Sequence, residues 1–190
     1  MREMSVWTFI GSSLLFASIV VLANYGVQYP IFNTPLTYGA LTYPMSFLLI
    51  DILSEKYNKI QVLKILWVGL FLAFIPSLLA SEPRIALASV CAFIISQNLD
   101  VYIFFYLKNR FPHLWWLRNN ASTMISQFID TMIFFHIAFL FVYPWEQVIM
   151  MLLADFCIKA FLALCDTPLF YMFAIRKYKQ PKITTKRGRI

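Results

Sequence analysis

The chain has 190 residues, of which 61% are hydrophobic and 13% charged, with a formal net charge of +7. A soluble domain of this size needs far more charge to cover its surface, so the composition excludes one and points to an integral membrane protein. The apolar runs are continuous rather than alternating, which favours an all-α bundle of membrane helices over a β-barrel.

Six spans are predicted in chain order. The first, Val6 to Tyr25, is longer than the roughly 7–15 apolar residues of a signal peptide, and no small-x-small cleavage site follows it. It is read as a helix of the mature protein. Pro30, Asn33 and Pro35 mark an uncharged loop. The second span, Leu36 to Leu53, contains Gly39 and Pro44, residues that break helices and are tolerated in a span where neighbouring protein satisfies the freed backbone. The third, Val62 to Leu79, ends near Pro76, and a turn follows at residues 81–84. The fourth runs from Ile85 to Leu107, and a loop rich in bases and aromatics is expected from Lys108 to Arg118. The fifth runs from Ala121 to Tyr143. The sixth, Val148 to Ile175, carries Asp155, Lys159 and Asp166, and Pro168 is expected to kink or break it. Residues 1–175 thus form one six-helix membrane domain, and residues 176–190 a basic cytoplasmic tail.

The bases orient this bundle. With six spans, 14 of the 16 Lys and Arg fall on one side, Arg84 falls on the other, and Lys159 lies within a span. The positive-inside rule then puts both termini in the cytoplasm. Topology together with a tail attracted to anionic lipid accounts for the positive charge, so no nucleic-acid partner is expected.

The fourth and fifth spans each carry the pattern Ser-Gln-x-x-Asp, as Ser96-Gln97-Asn98-Leu99-Asp100 and Ser126-Gln127-Phe128-Ile129-Asp130. Gln and Asp three residues apart share a helix face. A carboxylate within a span costs roughly 3 kcal/mol on insertion scales. Two of them, each with an amide beside it, point to a polar pocket between packed helices. Asp130 and Lys159 fall near the midplane and Asp100 in the half nearer the basic side, while Asp51 and Glu55 mark the basic end of the second span. Asp155 and Lys159, at i and i+4, can neutralise one another. His136, off the Asp130 face, is expected to be packed and hydrogen-bonded rather than a proton relay.

Nothing in the chain resembles a catalytic or metal-binding constellation. There is no His cluster, Cys–His pairing, phosphate-binding glycine loop or nucleophile signature, and Cys91, Cys157 and Cys165 are scattered through apolar runs. The expectation is a protein that recognises and moves a molecule, without enzymatic activity, cofactor or metal. Carboxylates, carboxamides and one cation among many aromatic rings suit a flat, nitrogen-rich ring, because a carboxylate accepts two hydrogen bonds from adjacent N–H donors. The expected substrate-binding residues are Gln97, Asn98, Asp100, Gln127, Asp130 and Lys159. Structural or gating roles are expected for Asp51, Glu55, Arg118, Asn119, Asn120 and Asp166, with Asn120 a candidate cap where the loop enters the fifth helix.

Four blocks carry a family resemblance. TYPMSFLLID at 42–51 with EKY at 55–57 resembles a signature of the queuosine precursor transporters, the VUT family, as does Gln97-x-x-Asp100 followed by VYIF at 101–104. The most specific match is LWWLRNNAST at 114–123 with Ser126-Gln127-x-x-Asp130-Thr131. Lys159 with DTPL at 166–169 completes the set, and the resemblance covers roughly residues 36 to 171. It implies an importer of 7-deazaguanine bases (preQ0, preQ1 or queuine) in the bacterial inner membrane. It also implies a six-helix fold similar to the substrate-binding subunits of energy-coupling-factor vitamin transporters. The alternative is such a binding subunit itself, serving another small planar metabolite and needing a separate ATPase. A coupling partner or a homo-oligomer is compatible with either, and the sequence leaves open whether Asp100 or Asp130 bridges the base. Asn58 stands where the family commonly has Gly, and Asn tolerates the left-handed backbone that Gly would supply.

Overall fold

A computed structural model of the chain describes residues 3–29, 31–32, 37–80 and 82–176. The apolar runs are helices: α1 (Val6–Gly26), α2 (Tyr38–Thr42), α3 (Pro44–Lys56), α4 (Lys59–Ala80), α5 (Pro83–Arg110), α6 (Trp115–Phe139) and α7 (Trp145–Phe170). A π-helical turn, Tyr171–Ile175, extends α7. Five of these helices are long and apolar enough to cross a membrane, namely α1, α4, α5, α6 and α7 with its extension. The second predicted span is split into α2 and α3, because Pro44 has no N–H to continue the ladder beyond Tyr43. The chain is a multi-pass, all-α membrane protein, and its basic tail beyond Arg176 lies outside the described residues.

Local chemistry sets the helix ends. Ser5 caps α1, accepting from the Thr8 amide at 3.2 Å. Pro83 opens α5 at a position whose amide has no helical partner. Asn58 Oδ1 accepts from the Gln61 amide at 2.9 Å and so caps α4. Asn58 is not among the residues with positive φ, so it acts through its side chain and not through the left-handed backbone expected from the sequence. Pro168 neither breaks nor ends α7 on the spot. The helix continues past it and passes into the wider π turn, where the Arg176 amide reaches the Tyr171 carbonyl five residues back. The loop expected over residues 108–118 is shorter, since α5 runs on to Arg110 and α6 starts at Trp115.

The bundle is apolar outside, and inside it a polar seam runs beside an apolar core of residues such as Phe16, Phe47, Ile65 and Phe104. Large side chains such as Phe71, Ile75, Leu79 and Met150 are exposed on the surface that faces lipid. Ser96, Gln97, Asp100, Ser122, Ser126, Gln127 and Asp130 are buried between helices, as expected where lipid offers no hydrophobic drive and small and polar residues join helices. The α5–α6 antiparallel pair forms the most extensive interface, and α1 packs mainly on α4. Glycine permits the closest approach, between α1 and α2. A Cβ at Gly39 would collide with the Ala23 carbonyl and stand 2.6 Å from the Val27 nitrogen, and one at Gly26 would stand 2.7 Å from the Gly39 nitrogen.

Arg84, the base isolated from all the others, has a structural task. Its guanidinium donates to the carbonyls of Leu140 (2.7 Å) and Ile137 (3.3 Å), satisfying the C-terminal end of α6.

Candidate substrate cavity and polar column

A cavity of about 260 Å³ lies between α1, α2, α5, α6 and α7, in the half of the bundle away from the basic end. Tyr43, Phe93, Phe134, Phe135 and Phe139 supply aromatic walls, and Asp130, Asp155 and Lys159 bring charge to it. Lys159 lies 2.7 Å from Asp155 and 3.6 Å from Asp130. Its ammonium also sits 4.4 Å from the centre of the Tyr43 ring. Asp130 accepts from Ser96 Oγ at 2.9 Å, and Thr131 Oγ1 donates to Asp155 at 3.3 Å. A cation buried with two carboxylates and hydroxyl donors is compensated, which a bare ammonium at that depth would not be.

The geometry leaves bonding capacity toward the cavity. Lys159 lies nearer Asp155, so its contact with Asp130 Oδ2 is the looser of the two. The Tyr43 hydroxyl points toward the Asp130 carboxylate, at the edge of the cavity. Tyr43 packs against Phe93 with ring centres 4.7 Å apart. Ser89 Oγ donates to Asn24 Oδ1 at 2.7 Å, which brings a polar residue of α1 to the cavity wall. Asn24 and Tyr43 were not singled out from the sequence as binding residues. The signal for Asn24 was an amide in an otherwise apolar run, and the signal for Tyr43 was its place in the 42–51 block.

From Asp130 a polar column runs toward the basic end. It follows one face of α6 through Gln127, Ser126, Thr123, Ser122, Asn119 and Arg118, all buried. On α5 it is met by Gln97, whose amide donates to Ser46 Oγ at 2.9 Å, and by Asp100. Thr123 Oγ1 donates to Asp51 Oδ2 at 3.0 Å. Asp51, which the sequence puts near the basic end of the second span, does not reach the surface. It is fully buried beside Asp100, because the face of α3 that carries it turns into the bundle.

The column ends in an ion-pair lock. Arg118 donates to both carboxylate oxygens of Glu55 at 2.9 Å, and through Nη1 to the Pro112 carbonyl at 2.9 Å. Lys108 adds a 3.7 Å contact to Glu55 and donates to the carbonyls of Ser54 and Glu55 at 2.7 Å. The last turn of α3, the end of α5 and the start of α6 are thereby held together.

The remaining expected residues lie elsewhere. The Asn98 amide donates to the Ile94 carbonyl of its own helix at 2.7 Å, and Asn98 does not line the cavity. Asn120 is not the cap of α6, which starts at Trp115. It donates to Trp116 and accepts from Thr167 at 2.8 Å, tying α6 to α7. Asp166 is half-buried on α7 and has no ion-pair partner among the described residues. His136 bonds the Met132 carbonyl at 2.6 Å and packs on Trp145, the packed role expected of it.

Comparison with known proteins places this architecture. Residues 75–173 match the family model described as "Putative vitamin uptake transporter". The "Probable queuosine precursor transporter" of Bacillus subtilis (strain 168) is 31% identical, with 92% of this chain and 85% of the relative covered. The "Queuosine precursor transporter" of Escherichia coli (strain K12) is 28% identical over 80% of this chain and 79% of its own length. No solved structure matches the chain significantly. With a family model across more than half of its residues and a relative 31% identical over 85% of that relative's length, the chain belongs to the queuosine precursor transporter family, a family of membrane transporters.

Proposed function

We propose that the protein imports 7-deazaguanine bases, precursors of the tRNA nucleoside queuosine, and that the base binds in the aromatic-walled cavity against Asp130 and Lys159. The observation that carries this reading is the meeting of one carboxylate and one ammonium, 3.6 Å apart, beside tyrosine and phenylalanine rings. A 7-deazaguanine edge presents a carbonyl, then N1–H, then an exocyclic amine. Asp130 accepts from N1–H and the amine, Lys159 donates to the carbonyl, and a ring such as Tyr43 or Phe93 covers the face. Asp130 lines the cavity and Asp100 does not, which favours Asp130 as the bridging residue. The names of the bacterial relatives support the same substrate class.

In this reading the protein is a carrier with no chemical step and sits in the bacterial inner membrane with both termini in the cytoplasm. The Arg118–Glu55 lock then closes the cytoplasmic end. A second reading, a binding subunit dependent on a separate ATPase, has no observation in its favour. Uptake by the purified chain alone in liposomes separates the two.

The direct test is the queuosine content of tRNA in a host unable to make the precursor. Supplying this gene with the external base restores queuosine, and the Asp130→Asn variant does not. Guanine-like bases compete for uptake, whereas adenine and hypoxanthine do not, because a buried carboxylate left without its donors is strongly disfavoured. Equal competition by adenine refutes carboxylate readout. A cysteine introduced at Arg187 is labelled only from the cytoplasmic side, and labelling from outside intact cells refutes the orientation.

A further inference from the structure

Below the cavity, Asp51 and Asp100 form a second acidic centre that recognition of the base does not use. Both are fully buried, and their carboxyl groups face one another across the α3–α5 contact. Asp51 Oδ1 and both oxygens of Asp100 have no N–H or O–H partner among the described residues. The Thr123 hydroxyl on Asp51 Oδ2 is the one donor in place. Two adjacent carboxylates buried without a cation cannot both stay ionised, since each raises the cost of charge on the other.

Among the described residues the surroundings supply no neutralising charge. Glu55, one turn along α3, faces Asp51, and it is itself taken up by Arg118 and Lys108. Lys159 of α7 is held by Asp155 and Asp130 on the cavity side, and Asp166 of the same helix is acidic.

A separate observation points to an occupant. The antiparallel register that joins Ser96 to Asp130 carries Asp100, four residues on, to Ser126, four residues back. Yet Ser126 Oγ is fully buried and unpartnered, as are both side-chain atoms of Gln127 beside it. Ser122, one turn further along, lies beside Asp100 too, but its hydroxyl is already engaged, donating to the Asn119 carbonyl at 3.4 Å. The donors and acceptors of Ser126 and Gln127 thus stand near the carboxyl pair without being spent on the fold among the described residues. Buried polar groups left this way mark a place where something else binds.

We propose that the Asp51–Asp100 pair is a proton-carrying site, loaded from the cavity side and emptied toward the basic end, and that proton movement through it drives import. Two facing carboxyl groups with no ordered ring of oxygen ligands around them suit a proton better than a larger cation. The Ser126–Gln127 stretch links this site to Asp130, so loading here and base binding there are coupled along one helix face. This inference rests on the import reading above and names its energy source.

The test uses the full chain in liposomes with the membrane potential clamped to zero, and labelled preQ1 as probe. Counterflow of preQ1 measures the carrier itself. An outside-acid gradient drives accumulation approaching about tenfold per pH unit for one proton, and a protonophore abolishes it. Asp51→Asn exchanges preQ1 by counterflow yet does not accumulate it. Counterflow by the wild type without gradient-driven accumulation overturns the proton site and leaves the import reading standing, whatever the variants do. Accumulation driven by a sodium gradient at equal pH overturns it too, as does full accumulation by both Asp51→Asn and Asp100→Asn. Absence of wild-type counterflow overturns the import reading, and the proton site with it.

Discussion

Ser96 and Asp130 come from the two copies of one five-residue pattern, and a 2.9 Å hydrogen bond joins them across the α5–α6 interface. The repeat therefore clasps itself. The first copy supplies the donor that orients the carboxylate of the second, leaving Asp130 Oδ2 toward Lys159 and the cavity. The reciprocal pair, Ser126 and Asp100, is not bonded, so sequence symmetry is not matched by symmetry of use.

Ser96 is accordingly a positioning residue. Ser96→Ala removes one hydrogen bond to a charged group, worth about 1.5–3 kcal/mol. It raises the concentration of base needed for half-maximal uptake about tenfold or more while the maximal rate changes little. Ser96→Thr, which keeps the hydroxyl, recovers most of the loss. Uptake kinetics for the two variants check this.

Lys159→Met leaves the buried carboxylate of Asp130 and the partly buried one of Asp155 without their cation. Removing one partner of a buried pair costs about 3–5 kcal/mol, so thermal unfolding in detergent shifts to markedly lower temperature. Lys159→Met combined with Asp155→Asn unfolds closer to the wild type, because less uncompensated charge remains. Neither variant imports the base. A Lys159→Met protein as stable as the wild type contradicts this role of the Lys159 ammonium.

Arg118 holds Glu55 with two parallel bonds and the Pro112 carbonyl with a third. An ammonium cannot reproduce that planar fork, so Arg118→Lys weakens the lock nearly as much as Arg118→Gln. Both variants expose a cysteine placed at Ser122 to thiol reagent from the basic side, where the otherwise unaltered protein protects it. Unchanged protection in both variants contradicts a closing role for the pair.

Gly39 and Gly11 differ in what a side chain would meet. A Cβ at Gly39 collides with the backbone of α1, whereas at Gly11 nothing lies within 4 Å. Gly39→Ala forces α2 away from α1 and costs about 1–3 kcal/mol, as overpacking does. Gly11→Ala is neutral or slightly stabilising, because alanine favours the helix. Folded yield and unfolding temperature of the two variants measure the contrast.

Much of the fold was legible in the linear chain. Runs of about 20 apolar residues have one stable form in a bilayer, so spans follow from hydropathy, and polar residues spaced three and four apart must share a helix face. That reasoning placed Ser96, Gln97, Asp100, Ser126, Gln127 and Asp130 between helices, where they are buried. Helix ends were less legible, because the last turn of α5 and the first of α6 are stabilised by Lys108 and Arg118 reaching another helix.

What the sequence by itself determined, then, is an all-α membrane bundle with a self-complementary polar seam and, through the four blocks, its family. Only the tertiary structure decided how that seam divides. Asp130 meets Lys159 and Tyr43 at a cavity, Asp100 meets Asp51 in the sealed interior, and Glu55 is claimed by Arg118. The two Asp of the repeat are indistinguishable by residue type, spacing and helix face. Their difference arises from which third helix packs over each copy, α7 with its lysine or α3 with its aspartate, and that depends on contacts between residues far apart in the chain.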